Sequence, residues 1–249
     1  MSKGAMRWLF CLTVLLVLAS ASRAAEPVSF AASDGVRVFA DYYPASSKAQ
    51  PLILLCHQAG SNRGEYAPIA PVLVNLGYNA LALDQRSGGS MWGQTNETVQ
   101  HLGHSTGYDG VLTDMDGALQ WARANGLTGP IIVWGSSYSA ALAFVFAAKH
   151  PQDVKAILAF SPGEYLNGTS VRDAAAHLTM PIFVTSAKAP DEIVNAKAIL
   201  DAAPAAIKVQ FVPRIAGVHG SSTLRIDRNP TGADENWMAV KEFLGGLHL

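Results

Sequence analysis

Six short apolar runs, separated by stretches of a different period, constrain this chain more than any other feature. PLILLC (51–56), NALALD (79–84), PIIVWG (130–135), AILAFS (156–161), PIFVTS (181–186) and KVQFVP (208–213) are almost continuous in apolar side chains. A strand with one wet face alternates apolar and polar residues, whereas a strand covered on both faces does not, so runs of this kind point to a parallel sheet between layers of helices. Between them lie YAPIAPVLVNLG, VLTDMDGALQWARANG, SAALAFVFAAKH and EIVNAKAILDAA, with NWMAVKEFLGGL after the last run, all of which read as helices. Ahead of the first run, VSFAASDGVRVFADYYP reads as two short strands about an Asp34-Gly35 turn. A hairpin followed by strand–helix alternation predicts an α/β fold, with a mostly parallel central sheet and helices on both faces. Ligands in such folds gather at the carboxyl ends of the strands.

The chain of 249 residues, 49% hydrophobic and 15% charged, is enough for one sizeable core, so a single domain is expected over residues 25–249. The stretch MSKGAMRWLFCLTVLLVLASASRAAEP places Lys3 and Arg7 ahead of an apolar run from Trp8 to Ala19, with small residues before Glu26. That is the pattern of a signal peptide, assigned to residues 1–24, and cleavage after either Ala21 or Ala24 fits it. The run is shorter than the ~20 residues of a membrane span. The expectation is a secreted or periplasmic protein with no stable membrane association once the leader is removed. Removal takes away Lys3, Arg7 and Arg23 and no acid, leaving 15 cations against 19 anions, a net charge of −4. Nothing in that balance attracts nucleic acid. Cys56 would then be the one cysteine left, which excludes an internal disulfide and suits a small apolar core residue.

The carboxyl ends of the apolar runs carry the chemistry. PLILLC is followed by His57-Gln58-Ala59-Gly60, NALALD by QRSGGS, PIIVW by Gly135-Ser136-Ser137-Tyr138-Ser139, and KVQFVPRIAG by Val218-His219-Gly220. The third of these is G-x-S-x-S, one residue away from the G-x-S-x-G turn that exposes a nucleophilic serine between a strand and a helix. The order of elements, the HQAG turn, DQRSGG, the serine turn and the late His-Gly resemble the α/β-hydrolase fold, close to its dienelactone hydrolase-like, serine-using branch. The resemblance covers essentially all of residues 25–249. It implies a hydrolase with a Ser-His-acid triad, no cofactor and no metal.

A serine hydroxyl is a poor nucleophile at neutral pH and needs an imidazole to take its proton. Ser137 is the candidate nucleophile, because reading Ser136 in that role would put Trp134 where a small residue is required. The resemblance carries the base onto His219. His57 reads as a loop-shaping residue, His150 ends a helix, and His177 and His248 have no matching position. His101 and His104 form H-x-x-H in a polar loop, and a metal site there would need further ligands. The oxyanion hole is expected from the backbone N–H groups of Gln58 and Tyr138. For the acid the resemblance points to the loop after PIFVTS, where Asp191 is ranked first, ahead of Glu192 and of Glu164 in SPGEYL. Asp191 and Glu192 would also suit the first turn of the helix that follows, facing its positive end.

From Ser161 to Pro181 there are about 20 residues, too few for a sizeable lid domain, so the cleft is expected to be open or covered by the loop from Met91 to Gly110. The expected activity is hydrolysis of small-molecule carboxylic esters through an acyl-enzyme. The alternatives are a peptidase on the same fold and a non-catalytic binding protein, since a fold alone confers no activity. The sequence says nothing of the oligomeric state. The leader yields a direct expectation: N-terminal sequencing of protein from its native host begins at Ser22 or Ala25, and an intact Met1 on soluble cytoplasmic protein would refute the assignment.

Overall fold

The hairpin about Asp34-Gly35 opens the described structure, a computed structural model that describes residues 24–108 and 110–249. The proposed leader, apart from Ala24, lies outside the described residues. β1 (Glu26–Ala31) and β2 (Arg37–Tyr43) pair antiparallel, with Phe30 opposite Val38, and Gly35 closes the turn at φ 89°. β3 (Leu52–Cys56) leads through a 3-10 turn (Arg63–Tyr66) and α1 (Ala70–Asn75) into β4 (Asn79–Asp84). A small hairpin of β5 (Ser90–Met91) and β6 (Gln94–Thr95) precedes α2 (Glu97–Leu102) and α3 (Val111–Ala124). Then β7 (Ile131–Ser136), α4 (Tyr138–Lys149), β8 (Val154–Phe160), α5 (Val171–Ala175), β9 (Ile182–Thr185), α6 (Pro190–Ala202), β10 (Lys208–Phe211) and α7 (Ala233–Gly245) alternate.

The strands form an eight-stranded sheet in the order β1-β2-β4-β3-β7-β8-β9-β10. Pairing is antiparallel from β1 to β4 and parallel from β4 to β10. Both faces are covered, which explains the continuous apolar runs. Along β3, Leu52, Leu54 and Cys56 pack with α3, α4, α5 and α6, while Ile53 and Leu55 pack with α1 and α7. β7 divides in the same way, with Ile131 and Val133 on one side and Ile132 and Trp134 on the other. The chain passes from β3 to β4 on one side and returns to β7 on the other, so the strand order reverses at β3 and a crevice opens at its carboxyl end.

Two segments differ from the sequence reading. The helix expected over YAPIAPVLVNLG shortens to α1, because Pro68 and Pro71 lack the N–H that an α-helix interior would use. The Met91–Gly110 stretch, expected as a loop, contains β5, β6 and α2. Asn96 caps α2 by accepting Val99 N–H at 2.8 Å, and Gly103 ends it at φ 82°. Among the described residues no helix is long and apolar enough to cross a membrane.

β7 and α4 cross closely at Gly135, where an added Cβ would stand 2.2 Å from Ser139 O. That oxygen is backbone and cannot swing aside. Gly135→Ala is therefore expected to lower stability by about 2–3 kcal/mol, seen as a fall in Tm of about 5–10 °C in thermal denaturation; an unchanged Tm contradicts this packing.

Candidate active site

Ser137 stands between the last residue of β7 and the first of α4, at φ 59° and ψ −122°. Side chains other than glycine rarely enter positive φ, and holding one there costs on the order of 1–3 kcal/mol. The turn is held from outside: Ser137 N–H donates to Phe160 O at the end of β8 at 2.8 Å. Ser139 stands where the usual pattern has its second glycine, and its buried hydroxyl donates to His57 O at 2.6 Å, which ties α4 to the turn after β3. Ser136 is fully buried, and its hydroxyl donates to Glu65 Oε1 at 2.7 Å, so it does not face the crevice.

The loop after β10 lays His219 over this turn. Its Nε2 is 2.8 Å from Ser137 Oγ and its Nδ1 2.9 Å from Glu192 Oε1. An ionised carboxylate can only accept, so Nδ1–H donates to Glu192 and Nε2 is left to accept the Ser137 hydrogen. Glu192 Oε2 also accepts Ala187 N–H at 3.1 Å. Burial pushes the Glu192 carboxyl up, but hydrogen bonds from His219 and Ser161 outweigh it and hold the group below its ordinary value. His219 is raised in turn, chiefly by its hydrogen bond to Glu192 against the opposing effect of burial.

Asp191, ranked first from the sequence, does not reach the imidazole. It lies in the first turn of α6 and is exposed, while its neighbour Glu192 faces inward. Successive helix residues point about 100° apart, so one of the two can face His219 and the other cannot. Asp191 remains at the positive end of α6, as the simpler reading of that turn allowed. Lys188, in the same loop, turns its Nζ to Arg214 O at 2.7 Å. Glu164 caps α5, accepting Val171 N–H at 2.7 Å and Arg172 N–H at 3.1 Å.

The oxyanion expectation is half corrected. Gln58 N–H is not free, since it donates to Glu65 Oε2 at 2.9 Å. The next N–H, that of Ala59, finds no acceptor among the described residues, and neither does that of Tyr138 at the start of α4. Ala59 and Tyr138, in the turns after β3 and β7, are thus the unengaged donors on either side of Ser137. The Tyr138 side chain is buried, bonded to Ser87 and stacked on Tyr108 at 4.2 Å between centroids, so it packs the turn rather than lining a pocket.

Two other histidines named from the sequence are occupied elsewhere. His57 is fully buried, with Nε2 accepting Gln85 N–H at 3.0 Å and Nδ1 2.7 Å from Gln58 O, and burial brings its pKa down to about 4. His101 packs on Phe39 with ring centroids 4.5 Å apart. Among the described residues no group of three or more His, Cys, Asp or Glu is arranged to hold a metal ion.

Residues 47–186 match the hydrolase family described as serine aminopeptidase, S33. The chain belongs to the serine aminopeptidase S33 family. In this S33 hydrolase the matched stretch runs from before β3 to just past β9; it includes Ser137 and stops short of Glu192 and His219, which the tertiary structure adds. No curated protein matches the chain. Among solved structures it is similar to a dienelactone hydrolase from Anabaena variabilis, at TM-score 0.69 and 17% identity over 90% of this chain and 97% of that one. It is similar also to a carboxyl esterase from Bacillus coagulans, at TM-score 0.69 and 13% identity over 91% and 100%. An esterase from Pyrococcus furiosus aligns at TM-score 0.67 and 18% identity over 89% and 90%. The fold is the α/β-hydrolase fold, and among the described residues no sizeable lid domain is inserted in it.

Three contributors were not legible in advance. Glu65 and Ser161 carry no motif, and Ala59 was passed over for its neighbour. For Ser161 a faint signal existed, as it follows an apolar run where candidate residues collect; it adopts φ 55°, and its Oγ accepts Gly220 N–H at 3.0 Å. The geometry of α6 gives a pairwise expectation. Glu192→Gln lowers kcat of hydrolysis by about 10²-fold or more, while Asp191→Asn stays within about threefold. Activity needs neutral His219, whose pKa Glu192 raises, so the acidic limb of kcat/KM in Glu192→Gln moves to lower pH. A dead Asp191→Asn beside an active Glu192→Gln would reverse the assignment.

Proposed function

We propose that this S33 hydrolase is an exported serine esterase that cleaves small carboxylic esters through Ser137, His219 and Glu192. The observation that carries the reading is a single imidazole within hydrogen-bond distance of both the serine at a strained turn and a buried-side carboxylate. Ser137 Oγ attacks the ester carbonyl carbon as its proton passes to His219 Nε2, and Glu192 stabilises the resulting imidazolium. The carbonyl oxygen becomes an oxyanion facing the Ala59 and Tyr138 N–H groups, each such donor contributing ~3 kcal/mol to the transition state. Collapse breaks the carbon–oxygen bond to the alcohol, which leaves with the proton from Nε2. Water then attacks the acyl-serine, giving its proton to His219, and the acid is released as Ser137 regains its hydrogen.

The accessible-ester part of the reading rests on the segment between β8 and β9, which holds one five-residue helix, α5. Met91 and Tyr165, 38% and 37% exposed, offer apolar surface near the site: Gln58 Nε2 lies 3.9 Å from Met91 Sδ, and Tyr165 feels the charge of Glu192. Export rests on the residues before Ala25 alone.

A fluorophosphonate probe with mass mapping tests the nucleophile without knowledge of the substrate. Labelling is expected at Ser137, and Ser137→Ala should lose about 10⁴-fold or more of ester hydrolysis while still folding. With 4-nitrophenyl acetate, butyrate and palmitate, rates fall with acyl length. Full activity in Ser137→Ala ends the esterase reading, and faster cleavage of aminoacyl anilides than of esters would favour a peptidase.

A further inference from the structure

Beneath these residues lies a carboxylate that the proposed reaction does not use. Glu65, on the 3-10 turn after β3, is fully buried. Its Oε2 accepts Gln58 N–H at 2.9 Å and its Oε1 accepts the Ser136 hydroxyl at 2.7 Å. Ser61 Oγ, which accepts Trp92 Nε1–H at 2.7 Å, stands 3.4 Å from Oε2. Ser136 Oγ in turn accepts Ser221 N–H at 2.9 Å, which directs its own hydrogen at Glu65. Every neighbour presents a hydrogen, and the ionised carboxylate satisfies them all.

No cation bonds the Glu65 carboxylate among the described residues. The Arg225 guanidinium close by is spent on the carbonyls of Gly64 and Glu65 and on Asp227. A buried charge without an ion-pair partner is costly to keep. What it spans is notable: Gln58 precedes Ala59, Ser136 precedes Ser137, and Ser221 follows His219 by two residues. One carboxylate joins the oxyanion turn, the nucleophile turn and the histidine loop, which come from three distant parts of the chain.

We propose that Glu65 is a positioning residue of the hydrolytic site, a buried ionised carboxylate that holds Ala59, Ser137 and His219 in register through Gln58, Ser136 and Ser221, and whose charge assists the imidazole in taking the serine proton. This rests on the esterase reading above. Two carboxylates act on His219 electrostatically, Glu192 from α6 and Glu65 from the 3-10 turn after β3, and both raise it, Glu192 the more strongly. Burial holds the Glu65 carboxyl above its ordinary value, and the Ser136 and Gln58 hydrogen bonds and the charge of Arg225 offset only part of that rise. Neutralising Glu65 therefore lowers the pKa of His219, an effect that a purely structural residue would not have.

The test compares the parent enzyme, Glu65→Gln, Glu65→Asp and Ser136→Ala in 4-nitrophenyl acetate hydrolysis across pH, with fluorophosphonate labelling of the parent as a control. Glu65→Gln is expected to lower kcat about 30- to 100-fold with KM within about threefold, and to move the acidic limb of kcat/KM to lower pH. Glu65→Asp, which restores the charge, returns the limb toward the parent position. A Glu65→Gln enzyme with kcat within about threefold of the parent, or one whose limb stays in place, overturns the proposal. Should Glu65→Gln fail to fold, Ser136→Ala decides: a loss of about tenfold in kcat at constant KM supports the link, and a change under about threefold removes it. A parent that neither cleaves the ester nor takes the probe at Ser137 defeats the esterase reading itself, an outcome distinct from all of these.

Discussion

Everything at this site depends on the close crossing of β7 and α4. Gly135 lets the helix backbone come so near the strand that a single added carbon would meet Ser139 O at 2.2 Å. The chain between them has three residues in which to reverse, and the middle one, Ser137, is driven to φ 59°. The strain of that backbone is tolerated because the elements around it are over-determined: β7 is buried on both faces, and α4 carries Ala140, Ala141, Leu142, Ala143 and Phe144 into the same core. The reward is positional. The hydroxyl stands above the sheet edge, and the first N–H of α4 stands beside it without an acceptor.

Around that fixed point the molecule arranges two carboxylates in opposite ways. Glu192 is partly buried, bonded to the imidazole and held below the ordinary carboxylate value once its hydrogen bonds outweigh burial. Glu65 is sealed beneath, accepts from Gln58 after β3 and from Ser136 at the end of β7, and is pushed upward by burial. The outer carboxylate orients the proton acceptor. The inner one links the turn after β3 and the end of β7 to the loop that carries His219. Ser161, at φ 55°, belongs to the same logic, since its hydroxyl takes Gly220 N–H beside the histidine while bonding Glu192.

The parallel sheet is what makes this convergence cheap. β3, β7, β8 and β9 all end on the same side, so the turn carrying Ala59, the serine turn, Ser161 and the start of α6 are delivered to one edge without long excursions. The switch in strand order at β3 leaves the crevice between the turn after β3 and the turn after β7, where the unengaged Ala59 and Tyr138 N–H groups lie.

Local pattern was sufficient for the sheet, because burial on both faces demands continuous apolar runs, and PLILLC, PIIVWG and AILAFS all became strands within a residue or two of where they read. It was sufficient also for the strand-to-helix turn at Ser137, since a short residue pattern dictates a sharp local backbone. It did not decide between Asp191 and Glu192. Those two are adjacent, both acidic and both suited to a helix start, and the choice between them is the angular phase of α6 against a loop 27 residues away. Nor did it separate Gln58 from Ala59 as a donor, because the N–H of Gln58 is consumed by Glu65, a contact visible only once the 3-10 turn folds back beneath the site. Residue order specifies which backbone can bend and which faces must hide; which of two neighbouring side chains meets a partner from another strand is set by rotation and packing, and those belong to the tertiary structure.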